Sequence, residues 1–506
     1  MFGIGTPAHC GLSAFAQERF PPAVTQSPLA VVVLAAGEGT RMKSRSTPKV
    51  LHGFAGRSLL GHVLAATAPL GAAHTVVVVG HRRDEVTAHL AEIAPDATAV
   101  VQERQNGTGH AVRVALGSLP ADATGTVVVV PSDAPLLRVE TLAELVSVHS
   151  SAGAAATVLT SIVDAPDGYG RVVRAPDRSV TRIVEDKDAT DGERQITEVA
   201  AAVYAFDAAL LRDAVGRLST DNAQGEEYLP EVIEILVREG RPVAAVVADQ
   251  RETAGVNDRV QLADAHRGYN ARLLERHMRA GVTVVDPATT WVDVAVSIEP
   301  DVTLLPSVYL HGATHVAEGA EVGPDVTLTD TTVGARARVT RTVAVSAVLG
   351  ADVTVGPFAY LRPGTVLADG VHIGTYVEVK NSDIGTATKV PHLSYVGDAT
   401  IGEHTNIGAA TVFVNYDGVA KHRSTIGDHA RTGADNMFVA PVTVGDGAYT
   451  AAGSVITQDV PPGAMGVARA AQRNVAGWVL RRRPGTAAAE AAARAASPTQ
   501  PSEDKT

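Results

Sequence analysis

Two cations follow the first long apolar run of this chain, Arg41 and Lys49 in "VVVLAAGEGTRMKSRSTPKVLH", residues 31–52. Ahead of them a strand-like segment, residues 31–34, runs into a turn carrying Gly37 and Gly39. Backbone N–H groups of such a turn can cradle phosphate oxygens, and Arg and Lys neutralise their charge. A dinucleotide fingerprint would require a third glycine where this chain has Met42, together with a downstream ribose acid in a βαβ unit. The spacing therefore points away from nicotinamide binding. It points toward a phosphate-rich substrate whose site needs a tight turn and two cations but no close helix packing.

The elements that must position such a site are alternating strands and helices. Residues 76–79 and 127–130 are short, β-branched runs bounded by turn residues, as in strands buried on both faces of a parallel sheet. Helical stretches such as "HAVRVALGSL" lie between them. Residues 29–255 read as a doubly wound α/β domain, whose ligand sits beyond the carboxyl ends of the strands. Both "LAAGEGTRM" and "PSDAPLL" follow such strand ends. Residues 256–281 are polar, free of proline and closed by Gly281, and read as a linker helix or as a last helix of the first domain.

The second half has a different period. Val355, Leu361, Leu367, Ile373 and Val379 fall six residues apart; so do Val333, Val339 and Val345, and Ile401, Ile407 and Phe413. After an insertion Phe438, Val444, Thr450 and Ile456 resume the step. A period of six is that of a hexapeptide parallel β-helix, each coil turning an aliphatic residue inward onto its neighbours. Residues 282–483 are assigned to it. Residues 484–506 are of low complexity, expected to be disordered or weakly helical.

Bulk properties narrow the function classes. A chain of 506 residues is expected to hold two or three domains. With 45% apolar residues, 4% aromatics and 47 glycines, its cores are built from small aliphatic side chains. The net charge of −12 argues against general nucleic-acid binding, which depends on clustered Lys and Arg. The one cysteine, Cys10, lies in the N-terminal extension, residues 1–28, so neither a disulfide framework nor thiol chemistry is expected. That extension lacks a basic region followed by a sustained apolar run and is not read as a signal peptide; it is a flexible tail or the product of a misplaced start codon. With no apolar segment of membrane-spanning length, a cytoplasmic protein is expected.

The motifs "LAAGEGTRM…TPKVLH", "QNGTGHA", "DGYGRVVR", "IVEDKDAT", "NAQGEEYLPEVI", "GVNDR", "VGPFAYLRPG", "HLSYVGDATIG", "NIGAATVFVNYDG" and "APVTVG" stand in one order. From about residue 30 to 480 the chain resembles the bifunctional N-acetylglucosamine-1-phosphate uridylyltransferase and glucosamine-1-phosphate acetyltransferase family. The resemblance implies an α/β nucleotidyltransferase domain followed by a left-handed β-helix. It also implies acetyl transfer from acetyl-CoA to glucosamine 1-phosphate, then uridylyl transfer from UTP with Mg²⁺, in a homotrimer with acyl-CoA sites between subunits.

Residue by residue, the resemblance assigns Leu34, Ala35, Ala36, Gly37, Arg41 and Lys49 to the triphosphate and sugar phosphate, and Gln102, Gln105, Gly107 and Thr108 to the uracil pocket. A glutamine can both donate and accept, as a uracil edge requires. Asp133 and Asn257 correspond to the magnesium ligands; few hard oxygen ligands suit an ion that keeps waters and phosphate oxygens. Gly170 and Glu185 correspond to sugar contacts. In the acetyl-transfer half His392 corresponds to the catalytic base and Glu378 to the acid that orients it. Arg362, Lys380, Tyr395, Asn406 and Lys421 correspond to residues that hold the sugar phosphate. Ala409, Asn415, Tyr416, Ala434, Ala452 and Arg469 stand at acetyl-CoA contacts. Of only seven lysines against 36 arginines, Lys49, Lys380 and Lys421 fall at these phosphate positions.

The chain departs from the family at Ser132, where glycine is usual, at Ala434, where serine is frequent, and at Ala200, Ala201 and Ala202, which replace Asn-Ser-Gly or Asn-Thr-Gly. Alanine at 200 can neither donate nor accept, so sugar binding or uridylyl transfer is weakened, unless a water or a neighbour fills the place. Two other readings follow: an acetyltransferase whose uridylyltransferase half is weakened or altered, and a sugar-nucleotide transferase whose β-helix only trimerises. The polar residues around His392 interrupt the hexapeptide pattern without packing benefit, which argues against a bare scaffold.

Overall fold

The computed structural model describes residues 29–496; the N-terminal extension and the last ten residues of the tail lie outside that range. The chain divides into two compact units, Met1–Ser346 and Ala347–Thr506.

In the first unit, strands β1 (Ala30–Ala35), β2 (His74–Val79), β3 (Thr98–Val101), β4 (Thr126–Pro131), β5 (Ala156–Ile162), β6 (Glu198–Asp207) and β7 (Val243–Ala248) form one sheet in the order β7-β5-β6-β4-β1-β2-β3. Pairing is parallel except for β6, which runs antiparallel to β4 and β5. Strand residues alternate between two helix layers, as the two-residue period of a strand requires. Val32, Val76, Val78 and Val127 pack with Ala111, Val112, Leu211 and Ile233 of helices α3 (Thr108–Leu116), α5 (Ala208–Val215) and α6 (Glu231–Arg238). Val31, Val33, Val77 and Val128 pack with Leu60, Val63, Leu90 and Leu145 of α1 (Leu59–Thr67), α2 (Arg83–Ile93) and α4 (Val139–Ser151) on the other face. This is the doubly wound domain expected.

The expected linker is helix α7 (Arg259–Arg279), capped by Asp258, whose carboxylate accepts from Val260 and Gln261 N–H. Arg272 of α7 donates to Leu136 O at 2.6 Å, while Asn270 bonds Thr290 O and Val292 N at 2.8 and 3.0 Å. The helix thus joins the α/β layer to the first coils of the β-helix, all within the first unit.

Within each unit the coils contribute short strands to three parallel faces, numbered separately in each. In the first unit Leu304, Val322 and Val339 stack on one face and Leu310, Leu328 and Ala344 on the next. In the second unit Val355, Ile373 and Val390 lie on the first face, Leu361, Val379 and Val396 on the second, and Leu367, Ile384, Ile401, Ile426 and Val444 on the third. Nearly every aliphatic residue of the six-residue pattern is buried. Val345 is the correction: Ala344 is 0% exposed and points inward in its place. The coil that places Val339 over Val322 spans seventeen residues, so the strict step of six slips there. Coil corners take left-handed backbone at non-glycine residues such as Asp325, Asn381, Asp398 and His404. Such residues cost about 1–2 kcal/mol each, offset by coil stacking. At the chain's end Ala487–Ala496 is helical.

Candidate functional site

The first candidate site forms at the carboxyl ends of β1 and β4. The backbone leaves β1 through residues 36–39, and Gly39 adopts a left-handed φ of 65°. A Cβ at Gly39 would stand 2.4 Å from Lys49 Cβ, so glycine here lets the lysine lie against the turn. Gly37 has open space around it. Among the described residues the N–H groups of Gly37, Glu38 and Gly39 donate no intramolecular hydrogen bond, which leaves them available to an anion.

Lys49 Nζ lies 2.5 Å from Asp133 Oδ2 and 2.9 Å from Asn257 Oδ1, and Arg41 Nη2 lies 2.9 Å from the same asparagine oxygen. Four residues up to 216 positions apart therefore converge. Asp133 is placed by the end of β4, where Ser132 N–H donates to Leu34 O at 3.1 Å and Val256 N–H donates to Asp133 O at 2.7 Å. Asn257 is held from behind, its N–H donating to Gln261 Oε1 at 2.7 Å. Two hard oxygens already converging on one cation are the donor set that Mg²⁺ takes when phosphate and water complete its shell. Among the described residues no cluster of three or more His, Cys, Asp or Glu forms a self-sufficient metal site.

Gln102 follows β3 and is buried; its amide nitrogen donates to Gly107 O at 3.1 Å and pairs with His110 Nδ1 at 2.9 Å. Gln105 donates to Ala36 O at 2.6 Å. Both glutamines thus use amide N–H within the protein and keep carbonyl oxygen for a ligand. Thr108 is engaged locally, its hydroxyl accepting from Leu229 N–H at 3.0 Å, and Gly107 caps α3 with Glu227 O pressed against it. His110 was not singled out in the sequence; an imidazole two residues beyond Thr108 carries no motif signal.

Gly170 and Glu185 form a separate group with Ala200. Ala200 N–H donates to Gly170 O at 2.9 Å, and a Cβ at Gly170 would lie 3.6 Å from Glu185 Oε1. Burial, then Asp188 and Asp186 nearby, push the Glu185 carboxyl above its ordinary range. The strand is irregular here: the register of β6 against β5 shifts between Ala200 and Tyr204, and Ala202 sits at a φ of 56°. The position where glycine is usual in the family therefore keeps left-handed backbone in this chain, carried by alanine.

The second candidate site lies in the second unit. Tyr360, Glu378 and Tyr395 form an outward ladder on the second face. Arg362 Nη1 donates to Glu378 Oε1 at 2.9 Å. The sequence expectation paired Glu378 with His392; within one chain the carboxylate bonds Arg362 instead, because His392 ends a strand of the first face while Glu378 lies on the second. The exposed His392 ring makes no side-chain hydrogen bond among the described residues.

Lys380, Asp398 and Asn415 occupy one corner of three successive coils, after strands Glu378–Lys380, Tyr395–Gly397 and Val412–Val414. Asp398 was not singled out in the sequence. Burial pushes its carboxyl up, and hydrogen bonds from Asn381, Lys380 and Asn415 outweigh that and hold it below the usual range. Gly397 was also unforeseen: a Cβ there would fall 2.4 Å from Tyr395 OH and 2.8 Å from Asn415 Nδ2, so only glycine lets the tyrosine cross to the corner. Tyr416 and Lys421 pair across an exposed loop built on Asp417, which accepts from Val419 and Ala420 N–H.

The remaining residues are not gathered there. Asn406 bridges Lys389 and Arg431 on the first face, where these three, with Ala387, His404 and Thr405, line a cleft of about 320 Å³. Ala409, Ala434 and Ala452 follow one another at a coil corner, with Arg469 exposed beyond Gly453. The chain thus distributes the expected acetyl-transfer residues over two faces and their corners.

Residues 31–201 match the MobA-like NTP transferase domain, and residues 346–381 match the bacterial transferase hexapeptide family of six repeats. The chain is 62% identical over 467 residues to the bifunctional protein GlmU of Streptomyces coelicolor, covering 92% of this chain and 97% of that one. It is 57% identical over 474 residues to the GlmU of Rhodococcus jostii, covering 92% and 95%, and 55% identical over 484 residues to that of Nocardia farcinica, covering 94% and 98%. Similarity at this level across both halves means that the chain belongs to the family of the bifunctional protein GlmU, transferases that join a nucleotidyltransferase domain to a hexapeptide β-helix.

Proposed function

We propose that this chain performs both reactions of the family: acetyl transfer from acetyl-CoA to glucosamine 1-phosphate, and uridylyl transfer from UTP to N-acetylglucosamine 1-phosphate. The observation that carries this reading is the identity of 55–62% extending over about 92% of the chain, across both sites. We further propose that it acts as a cytoplasmic homotrimer. Among the described residues no helix is long and apolar enough to cross a membrane.

In uridylyl transfer a sugar phosphate oxygen attacks the α-phosphorus of UTP, the bond to the β-phosphate oxygen breaks, and pyrophosphate leaves. The attacking group is already ionised, its second pKa lying near ~6, so the protein supplies position and charge rather than a base. The turn at residues 37–39 holds phosphate oxygens, and Arg41 and Lys49 neutralise the charge that gathers on them. Asp133 and Asn257 would hold Mg²⁺, which supplies further neutralisation of the phosphates when bound. The carbonyl oxygens of Gln102 and Gln105 face the imide N–H of uracil.

In acetyl transfer His392 takes a proton from the sugar ammonium. The freed amine attacks the thioester carbonyl, the C–S bond breaks, and the second proton lost by the nitrogen leaves with CoA as its thiol. Arg362, Lys380, Tyr395 and Lys421 hold the sugar phosphate in this reading. Asn406 completes the site from the first face of a neighbouring copy. This explains why one protomer leaves it away from the Lys380 corner.

The test is a parallel assay on the full chain. Pyrophosphate release from UTP and N-acetylglucosamine 1-phosphate with Mg²⁺ is measured beside CoA release from acetyl-CoA and glucosamine 1-phosphate. Both are expected. CoA release alone would mean that Ala200 to Ala202 have disabled the first site, and pyrophosphate release alone would reduce the β-helix to a scaffold.

A further inference from the structure

The acetyl-transfer corner contains one buried carboxylate to which the proposed function assigns no role. Asp398 is 6% exposed, in left-handed backbone at a φ of 51°. Its Oδ1 accepts from Lys380 Nζ at 3.1 Å and from Asn381 Nδ2 at 2.6 Å. Its Oδ2 accepts from Lys380 Nζ at 3.1 Å and from Asn415 Nδ2 at 2.5 Å.

An ionised carboxylate can only accept hydrogen bonds. Every neighbour must therefore turn an N–H toward it, and this decides the orientation of an otherwise ambiguous amide. Asn415 directs Nδ2 at Asp398 and, at 3.3 Å, at Tyr395 OH. Its Oδ1 is left as an acceptor that no described residue uses. A corner lined by an ammonium and an amide oxygen suits a substrate with a phosphate at one end and an amine at the other. The lysine attracts the first, and the oxygen accepts an N–H of the second. A mobile Asn415 would present its own N–H groups half of the time and, by donating to the amine lone pair, tie up the electrons needed for attack.

We propose that Asp398 is a positioning residue for acetyl transfer, holding Lys380 toward the sugar phosphate and fixing Asn415 with its carbonyl oxygen toward the attacking amine. The inference rests on the acetyltransferase reading above. It differs from a corner-capping role in what it requires: both the binding of the sugar phosphate and the chemical step depend on this carboxylate.

The experiment uses the full chain and the Asp398→Asn variant, which keeps shape but can present N–H to both partners. For acetyl transfer kcat/KM should fall on the order of 10–100-fold, as expected for removal of a group that orients a contacting residue. The loss should be shared between a higher KM for glucosamine 1-phosphate, from Lys380, and a lower kcat, from Asn415. Uridylyl transfer and the oligomeric state should hold, while the melting midpoint falls, because the Lys380 ammonium loses its counter-charge at a buried corner. On an Asn415→Ala background the same substitution should cost kcat little more, since its route of action is already gone. An unchanged kcat/KM overturns the proposal; so does a full multiplicative loss of kcat in the double variant. If Asp398→Asn fails to assemble, Asn381→Gly decides the matter, because it frees the carboxylate without touching substrate and tolerates the left-handed φ of 46°. A fall in kcat is expected there, and no fall overturns the proposal. Absence of CoA release by the unmodified chain would instead remove the reading on which the inference rests.

Discussion

The two sites of this chain solve the same problem, holding a sugar phosphate against an activated donor, on surfaces of opposite character. In the doubly wound domain three contacts of 2.9 Å or less, Arg41–Asn257, Lys49–Asn257 and Lys49–Asp133, tie four residues together. Adjacent parallel strands end side by side, and the loops leaving them turn apart, so a crevice arises inside a single chain. A β-helix face has no such crevice. Its outward side chains stand in parallel ladders, Tyr360–Glu378–Tyr395 on one face and Lys389–Asn406–Arg431 on another. On the homotrimeric reading proposed above, residues on two faces serve one substrate when another copy brings a second surface. On the proposed reading the first fold makes a site by ending strands, and the second by pairing surfaces.

The sharpest way to break that comparison is by mixing variants. His392→Ala should lower acetyl transfer about 10²–10⁴-fold, the range for loss of a positioned base, with pyrophosphate release intact. Coexpressing it with Asn406→Ala should restore part of the CoA release, because a mixed assembly can form an interface with both residues unaltered. Mixing Lys49→Ala with Asp133→Asn should restore no pyrophosphate release, since that site draws on one chain. Recovery in the second mixture, or none in the first, reverses the assignment.

Gly39→Ala should lower uridylyl transfer by about 10²-fold, because the new Cβ must displace Lys49 and a shift of ~1 Å at a positioning residue has that consequence. CoA release by the same protein should not change. Asp133→Asn should remove most Mg²⁺-dependent pyrophosphate release and raise the Mg²⁺ concentration for half-maximal rate, because a direct oxygen ligand loses its charge. A rate and Mg²⁺ response equal to the unmodified chain would remove Asp133 from the metal site.

The smallest expected effect is on stability. Ala202→Gly should raise it by about 0.5–1 kcal/mol, the left-handed cost of ~1–2 kcal/mol less the greater unfolded-state freedom of glycine. The denaturant midpoint of the first unit checks this. Ala200→Asn, in the same bulge, should lower the KM for N-acetylglucosamine 1-phosphate if the missing amide has weakened sugar binding, and leave it unchanged if a neighbour has taken the place.

Period and local chemistry were legible along the chain. Four consecutive valines in β4 read as a strand buried on both sides, and a step of six in aliphatic residues as a coiled parallel core. The turn after β1 announced its cations because Arg41 and Lys49 follow within a few residues. What the chain could not announce were relations between distant residues. The slip from Val345 to Ala344 depends on the length of a whole coil. Glu378 bonds Arg362 rather than His392 because neighbours on a β-helix are set by the coil above. Asp398 reads as an ordinary corner aspartate until Lys380, Asn381 and Asn415 close on it from two other coils. Sequence by itself determined which side chains face inward wherever the period held, since that is a periodic and local property; Val345 is the exception, because coil length broke the period there. Only the tertiary structure decided which polar groups share a proton or a charge, because sheet order and coil stacking bring together residues that the chain keeps tens to hundreds of positions apart.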